Sequence, residues 1–394
     1  MRKVKWDAFL SGLCGFALAL GVVAAGARAD VTTEEGASIL VFPKIQANGT
    51  FDTVIQITNT SNSILHAHCF YVDASLRSTL SGLPCSVPSA TCLPIWQETD
   101  FLIWLTKQQP THWLLSKGRN VDPTDGFASD GSGFDPGRVP PEPDFVGELK
   151  CIEVAESGEP VMGNFLKGEA TLEVTATTAD ALPDEPGTQE GDVSKYNAIG
   201  IRANPDATPS NPLTLDDSVY NSCPAKLIVN HFATGSTDPV AEELGSALSG
   251  SSVATQLTLV PCSEDFENQR PKSVTVQFLI YNQFEERFSA STTVTCFLSV
   301  ELTDIDSPGA PTRSAFSINQ LGTEVAHTEI TPVVNLDGTT GGLLGVVERI
   351  VSVSTATGGT VAARAAYDLH TAGNLVDVVP EGTPPDEIVL PLLE

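Results

Sequence analysis

The sequence predicts an all-β protein made of two antiparallel β-sandwich domains with long loops and disulfides, and three observations lead there. The 394-residue chain holds 27 Pro and 32 Gly beside abundant Thr, Ser and Val and only two Met, a composition of short strands joined by turns. Strand-forming runs recur along it, each bounded by Asn, Gly or Pro. Seven cysteines follow residue 29 with no C-x-x-C among them, which suits a disulfide framework better than a zinc site.

Residues 1–29 read as a cleavable signal peptide. Arg2, Lys3 and Lys5 form a positive start, Phe9 to Ala25 is uncharged and apolar, and Ala27-Arg28-Ala29 places small residues at both recognition positions before Asp30. The apolar core is shorter than the roughly 20 residues that span a bilayer, and no later stretch predicts a transmembrane helix. Export to the periplasm or the cell surface is the expectation. Removing the leader takes four of 21 basic residues and one of 49 acidic ones, leaving 17 against 48, a net charge of −31. Such a field repels nucleic acid and anionic lipid, so nucleic acid is excluded as a partner and other surface proteins or glycans remain.

The first domain is expected over 30–250. It opens with a strand at Ser38–Pro43, a turn at Asn48-Gly49, a strand at Thr53–Thr58, a turn over Asn59–Ser63 and a strand at Ile64–Val72; Asn and Ser close such turns through their side chains. Short strands follow at Thr99–Thr106, Trp113–Ser116, Phe145–Val154, Glu169–Thr175, Ala198–Arg202 and Ala225–Phe232, interrupted by long loops at 118–144 and 179–192. The second domain, 251–394, carries strands at Thr255–Val260, Ser273–Tyr281 and Ser291–Leu302. In the last of these, Val294, Cys296, Leu298, Val300 and Leu302 alternate with polar residues, which predicts one buried face that includes Cys296. Ala315–Ile318, Val325–Val334, Leu343–Val353 and Val361–Leu369 continue the pattern, and Pro239–Leu248 is the best short helix. Regular strands, turns and cysteines together point to sandwiches of immunoglobulin-like or jelly-roll type.

The stretch from about residue 38 to 72, with Ile-Thr-Asn-Thr-Ser-Asn at its turn, resembles bacterial immunoglobulin-like surface modules. The whole plan resembles exported bacterial β-rich proteins, a likeness that implies no activity.

Three disulfides are nominated. Cys85 and Cys92 flank a short Pro/Ser-rich loop, Cys262 and Cys296 each belong to strand-like runs of the second domain, and Cys69 is assigned to Cys151. The odd count leaves one cysteine over. His66 and His68 project from one face of a strand and could share Zn²⁺ or Cu²⁺ given a third ligand such as His112 or His231. Asp122, Asp125, Asp130 and Asp135 sit among glycines in a loop rich in oxygen ligands; calcium is the ion it would take, although the spacing is not that of an EF-hand. No cofactor is otherwise predicted. Trp96, Trp104 and Trp113 crowd near Phe101, and would stack on sugar rings if exposed or form core if buried.

Enzyme signatures are missing: the sequence holds no G-x-S-x-G, H-E-x-x-H or phosphate-binding glycine motif, and acidic pairs are too common in it for any two to be nominated as a glycosidase dyad. The expected function is a non-enzymatic structural or interaction protein. Carbohydrate or calcium binding and a Zn/Cu protein built on His66 and His68 are the alternatives.

Overall fold

The computed structural model describes residues 31–85, 91–119, 137–174, 192–208, 210–239, 251–334, 340–354 and 360–391. The expected leader, most of the 118–144 and 179–192 loops, all but Pro239 of the expected helix, and Asp122, Asp125, Asp130 and Asp135 lie outside these residues.

The all-β expectation holds. A first sheet has the order β11 (Ile199–Ile201), β1 (Ile39–Ala47), β8 (Phe145–Val154), β3 (Leu65–Asp73), β6 (Gln97–Leu105). A second runs β10 (Val193–Asn197), β9 (Leu166–Val174), β2 (Phe51–Asn59), β7 (Pro110–Leu114). The third is β17 (Arg287–Thr295), β16 (Ser273–Asn282), β19 (Val325–Pro332), β13 (Pro224–Phe232), β22 (His370–Asn374), and the fourth is β18 (Leu298–Glu301), β14 (Ser252–Pro261), β20 (Leu343–Ser354), β21 (Thr360–Asp368). Two small sheets complete the described residues: β12 (Leu213–Leu215) with β23 (Asp386–Val389) and β15 (Glu264–Asp265), and β4 (Leu76–Ser78) with β5 (Cys92–Pro94).

The arrangement corrects the expected pair of sandwich domains, immunoglobulin-like or jelly-roll. The six small sheets form a ring that resembles a five-bladed β-propeller. The physical reason is burial on both faces of the inner strands of the first sheet. A sandwich strand hides one face and wets the other, whereas all nine residues of β1 and nine of the ten in β8 are buried. One face, through Leu40, Phe42, Cys69, Tyr71, Leu149 and Cys151, packs on Ile55, Ile57 and Trp113 of the second sheet. The other, through Ile39, Val41, Phe70, Val72 and Ile152, packs on residues from much later in the chain, among them Val260, Phe266, Leu344 and Ile388. The rings of Phe70 and Phe266 stack at 4.1 Å. A third core between the third and fourth sheets holds Leu257, Phe278, Phe316 and Val347.

Local chemistry explains the reversals. Asn48 Oδ1 accepts the amides of Thr50 and Phe51 at 2.8 and 2.9 Å, and Asn59 Oδ1 accepts that of Ser61 at 2.8 Å. These are the turns read from the sequence, but each carries the chain between sheets, since β1 and β3 share the first and β2 belongs to the second. Asn282 closes the β16–β17 hairpin by accepting from Phe284 and Glu286 at 2.9 and 3.0 Å. Gly147 of β8 has no substitute: a Cβ there would lie 1.9 Å from the carbonyl oxygen of Val72. Ala315–Ile318, expected as a strand, instead leads into one short helix, Ile318–Leu321.

Among the described residues three disulfides are present. Cys69 on β3 faces Cys151 on β8 in direct register, and Cys85 joins Cys92. Cys262 joins Cys223, so the expected Cys262–Cys296 pair is corrected and Cys296 is a free, buried thiol. The run Ser291–Leu302 is two strands in two sheets, broken at Cys296, whose φ of 52° turns it out of the ladder. Its amide donates to the Lys272 carbonyl at 2.8 Å and its sulfur accepts the Lys272 amide. Cys262 meanwhile follows β14 and donates its amide to the Gly342 carbonyl, and a Cβ on Gly342 would come 2.2 Å from that of Cys223, so the glycine admits the bridge. A protein beginning at Asp30 should therefore show one thiol per chain after denaturation without reductant and no fast alkylation when native, because burial pushes the Cys296 thiol up to about 12. Two or more rapidly reacting native thiols would contradict this pairing.

Candidate functional site

Two features stand out: a groove at one end of the first sheet and a buried charge cluster on the sheet face beside it. The groove is a cavity of about 510 Å³ between the first sheet and β18, within the range of roughly 300–1,000 Å³ typical of binding clefts. Gln46 and Val146 come from strand ends of the first sheet and Asn48 from the turn after β1, Leu76, Pro84, Cys85 and Pro94 from the disulfide-closed β4–β5 unit, Phe297 from the approach to β18 and Leu298 to Val300 from β18 itself. Asp73 shapes the loop between β3 and β4 by accepting the Ser75 amide at 2.7 Å and its hydroxyl at 3.1 Å. The Ala74 amide donates to the Val146 carbonyl at 2.8 Å, which ties the loop to β8.

Trp96 lines this groove half-buried, with a backbone φ of 49°. A bulky side chain in left-handed backbone costs on the order of 1–3 kcal/mol, and such residues cluster at binding and catalytic sites. The other two tryptophans are placed differently. Trp113 is core and donates its ring N–H to the Tyr71 hydroxyl at 2.6 Å. Trp104 is 40% exposed and stacks on His66 at 4.7 Å. The structure thus separates the three: one in the core, one on the surface and one in the groove.

The cluster lies on the face that the first sheet turns to Phe266. Lys150 donates to Glu148 at 2.7 Å and to Glu264 at 3.1 Å, with Lys150 and Glu148 fully buried. Burial opposes the charge on Lys150, but the two carboxylates together outweigh it and raise its pKa. Burial pushes Glu148 up to about 8 against the attraction of Lys150, and repulsion from Glu264 adds to the rise. Glu98, on β6, is also raised to about 8, first by burial and then by Asp100, Glu264 and Asp265. One cation among these carboxylates favours retention of protons by Glu148 and Glu98. A second buried pair, Lys44 with Glu348, ties β1 to β20. Lys44 is lowered, by burial more than Glu348 can offset.

His66 and His68 do share a face, but they are engaged separately. His68 is buried and its Nε2 lies 2.8 Å from Asp100, while burial lowers its pKa. His112 sits on β7 in the second sheet, opposite Gln56, and His231 in the third sheet has its Nε2 2.9 Å from the Thr328 hydroxyl, so neither joins them. Among the described residues the group that gathers three ligand-type atoms is Cys223, Cys262 and Asp386, whose sulfurs are bonded to each other. Asp386 accepts from the Ser263 hydroxyl at 2.8 Å and the Gly342 amide, which uses it within the fold.

Sequence reasoning missed Glu98, Asp100, Glu148, Lys150 and Glu264. A signal existed: Glu148 and Lys150 alternate inside Phe145–Val154, an otherwise largely apolar strand, and charges in such a run need partners.

No protein-family model matches the chain, and no curated protein matches it. Among solved structures, the C-terminal domain of the AgI/II polypeptide BspA from Streptococcus agalactiae aligns over 81% of this chain and 84% of that chain, at 9% identity and a TM-score of 0.11. A likeness of that size carries no structural or functional inference. No helix among the described residues is long and apolar enough to cross a membrane, and three disulfides are compatible with an exported protein.

Two outcomes follow for the cluster. Lys150→Met leaves Glu148 and Glu264 buried without their cation and should destabilise the protein by roughly 3–5 kcal/mol in urea unfolding; a loss under about 1 kcal/mol would contradict the burial described. Glu148 and Glu98 keep their protons in the fold up to about pH 8, whereas an unfolded chain releases them near 4.3. The folded state then holds more protons, so stability falls as pH rises toward 8. His231, lowered by burial to about 4, acts in the opposite sense, but only below the ordinary histidine range. Melting temperature should therefore drop between about pH 6.5 and 8.5, and Glu148→Gln should flatten the slope. A melting temperature that climbs across this window would overturn the assignment.

Proposed function

We propose that the chain is an exported, non-enzymatic structural or interaction protein of the periplasm or cell surface, and that the groove at Trp96 is where it engages a partner. The observation that carries this reading is the placement of Trp96, a half-buried ring on left-handed backbone, in the cleft of about 510 Å³. Two further features support it. Lys150 bridges Glu148 and Glu264, carboxylates from two sheets, so the strongly shifted Glu148 is held by the fold's own partners, as is Glu153 at the other end of β8, which is raised to about 7 by burial and accepts the amides of Gly163, Phe165 and Leu166. The groove wall is also fixed covalently by Cys85–Cys92, which lowers the ordering cost of binding.

Carbohydrate binding is a second reading of the same groove. The ring of Trp96 stands with the amides of Gln46 and Asn48 and the carboxylate of Asp144, the groups that bind sugar faces and hydroxyls.

A photo-crosslinking residue at Pro84, which is exposed on the groove rim, should give a discrete crosslinked product in the native envelope. The same residue at Phe284, 73% exposed and outside the groove, is the control. Equal products from both positions, or turnover of a substrate that depends on a groove residue, would sink the proposal.

A further inference from the structure

We propose that the groove takes an extended peptide strand, which adds to the free edge of β18. This rests on the reading of the groove as a binding site and names its ligand class. β18 is the outermost strand of the fourth sheet, and among the described residues it is bonded on one side only, to β14. Every second residue of such a strand turns its N–H and C=O away from its neighbour, toward whatever lies beside it. The groove runs along this strand, since Leu298, Ser299 and Val300 line the cavity together with Gln256 of β14.

The edge is presented rigidly. The Ser299 hydroxyl is 2.9 Å from that of Thr258 and accepts from the Gln256 amide at 3.2 Å, which pins β18 to β14. The opposite wall does not close the gap. It is built by Leu76, Pro94 and Trp96, and the β4 and β5 strands within it pair with each other. Pro94 has no N–H to offer across the cavity. One wall therefore offers unpaired backbone groups and the other offers apolar surface, the two requirements of recognition by strand addition.

Side-chain chemistry narrows the occupant. Alternate residues of an added strand would point toward Trp96 and Leu76, which suits valine or a residue of similar size. The rim carries Asp144, and β18 ends on the exposed Glu301, on a chain of formal charge −28, which favours basic flanks.

The test uses the full exported chain and an acetylated, amidated octapeptide in which valine and threonine alternate between terminal arginines. Saturable binding by calorimetry is expected, weakened at least tenfold by Trp96→Ala. The deciding measurement is backbone N-methylation of the peptide at alternate residues, which leaves the protein untouched. Strand addition predicts that one register of N-methylation weakens binding at least tenfold while the other changes it less than threefold. Failure of the peptide to bind at millimolar concentration, or equal tolerance of both registers, overturns strand addition. Neutral oligosaccharides that bind in a Trp96-dependent way when the peptide does not would keep the groove as a site and reject the strand. Peptide binding that is unchanged in Trp96→Ala would reject both.

Discussion

A strand buried on both faces must satisfy every charge it carries from its own surroundings, and β1 and β8 of the first sheet live under that constraint. Lys150, in the central strand β8, has no water to turn to, so Glu148 on the same strand and Glu264 from the small three-stranded sheet close on it. Taking ions out of water costs several kcal/mol per ion unless they meet with good geometry, and the proton that burial keeps on Glu148 lowers that cost. The triad is thus a demand for register more than a source of stability: β15 reaches Lys150 only when β23 and β12 are assembled beside it. Phe70 on Phe266 and the Cys223–Cys262 bridge lie in the same interior and make the same demand in apolar and covalent form.

The groove follows from this assembly. The loop after β3 is tied to β8 through Val146, one residue from Gly147 and two from Glu148, so the charge cluster and one groove wall share a strand. The other wall begins where the chain leaves the third sheet at Cys296 and enters the fourth at Leu298. Sheet switching at that point leaves β18 as an edge beside open space. Recognition sites placed at such junctions inherit rigidity from the cores behind them.

Much of the strand content was legible in the sequence because strand propensity and Asn-led turns are local properties. Thr53–Thr58, Ser273–Tyr281 and Leu343–Val353 lie within the strands found, and the turns at Asn48 and Asn59 close through the side chains expected of them. Architecture was less legible, because alternation was read as one buried face. Ser38–Pro43 is a continuous apolar run after its first residue, and Phe145–Val154 is an apolar run with Glu148, Lys150 and Glu153 inside it, the patterns of strands covered on both sides. The alternation through Cys296 misled for the opposite reason: it spans two strands of different sheets, and a backbone turn at a single residue leaves no mark in a period-two pattern. Of the groove, the sequence offered Trp96 but not its neighbours, since Gln46, Asp144 and Ser299 meet only through tertiary assembly.

Early and late parts of the chain share one interior around Lys150. Hydrogen exchange read by mass spectrometry across a urea series follows β3 (Leu65–Asp73) and β20 (Leu343–Ser354) separately in one sample. A shared interior predicts that both segments lose protection at the same urea midpoint, and that Lys150→Met lowers the two midpoints together. Distinct midpoints, with β3 shifted by the substitution and β20 unmoved, would contradict it.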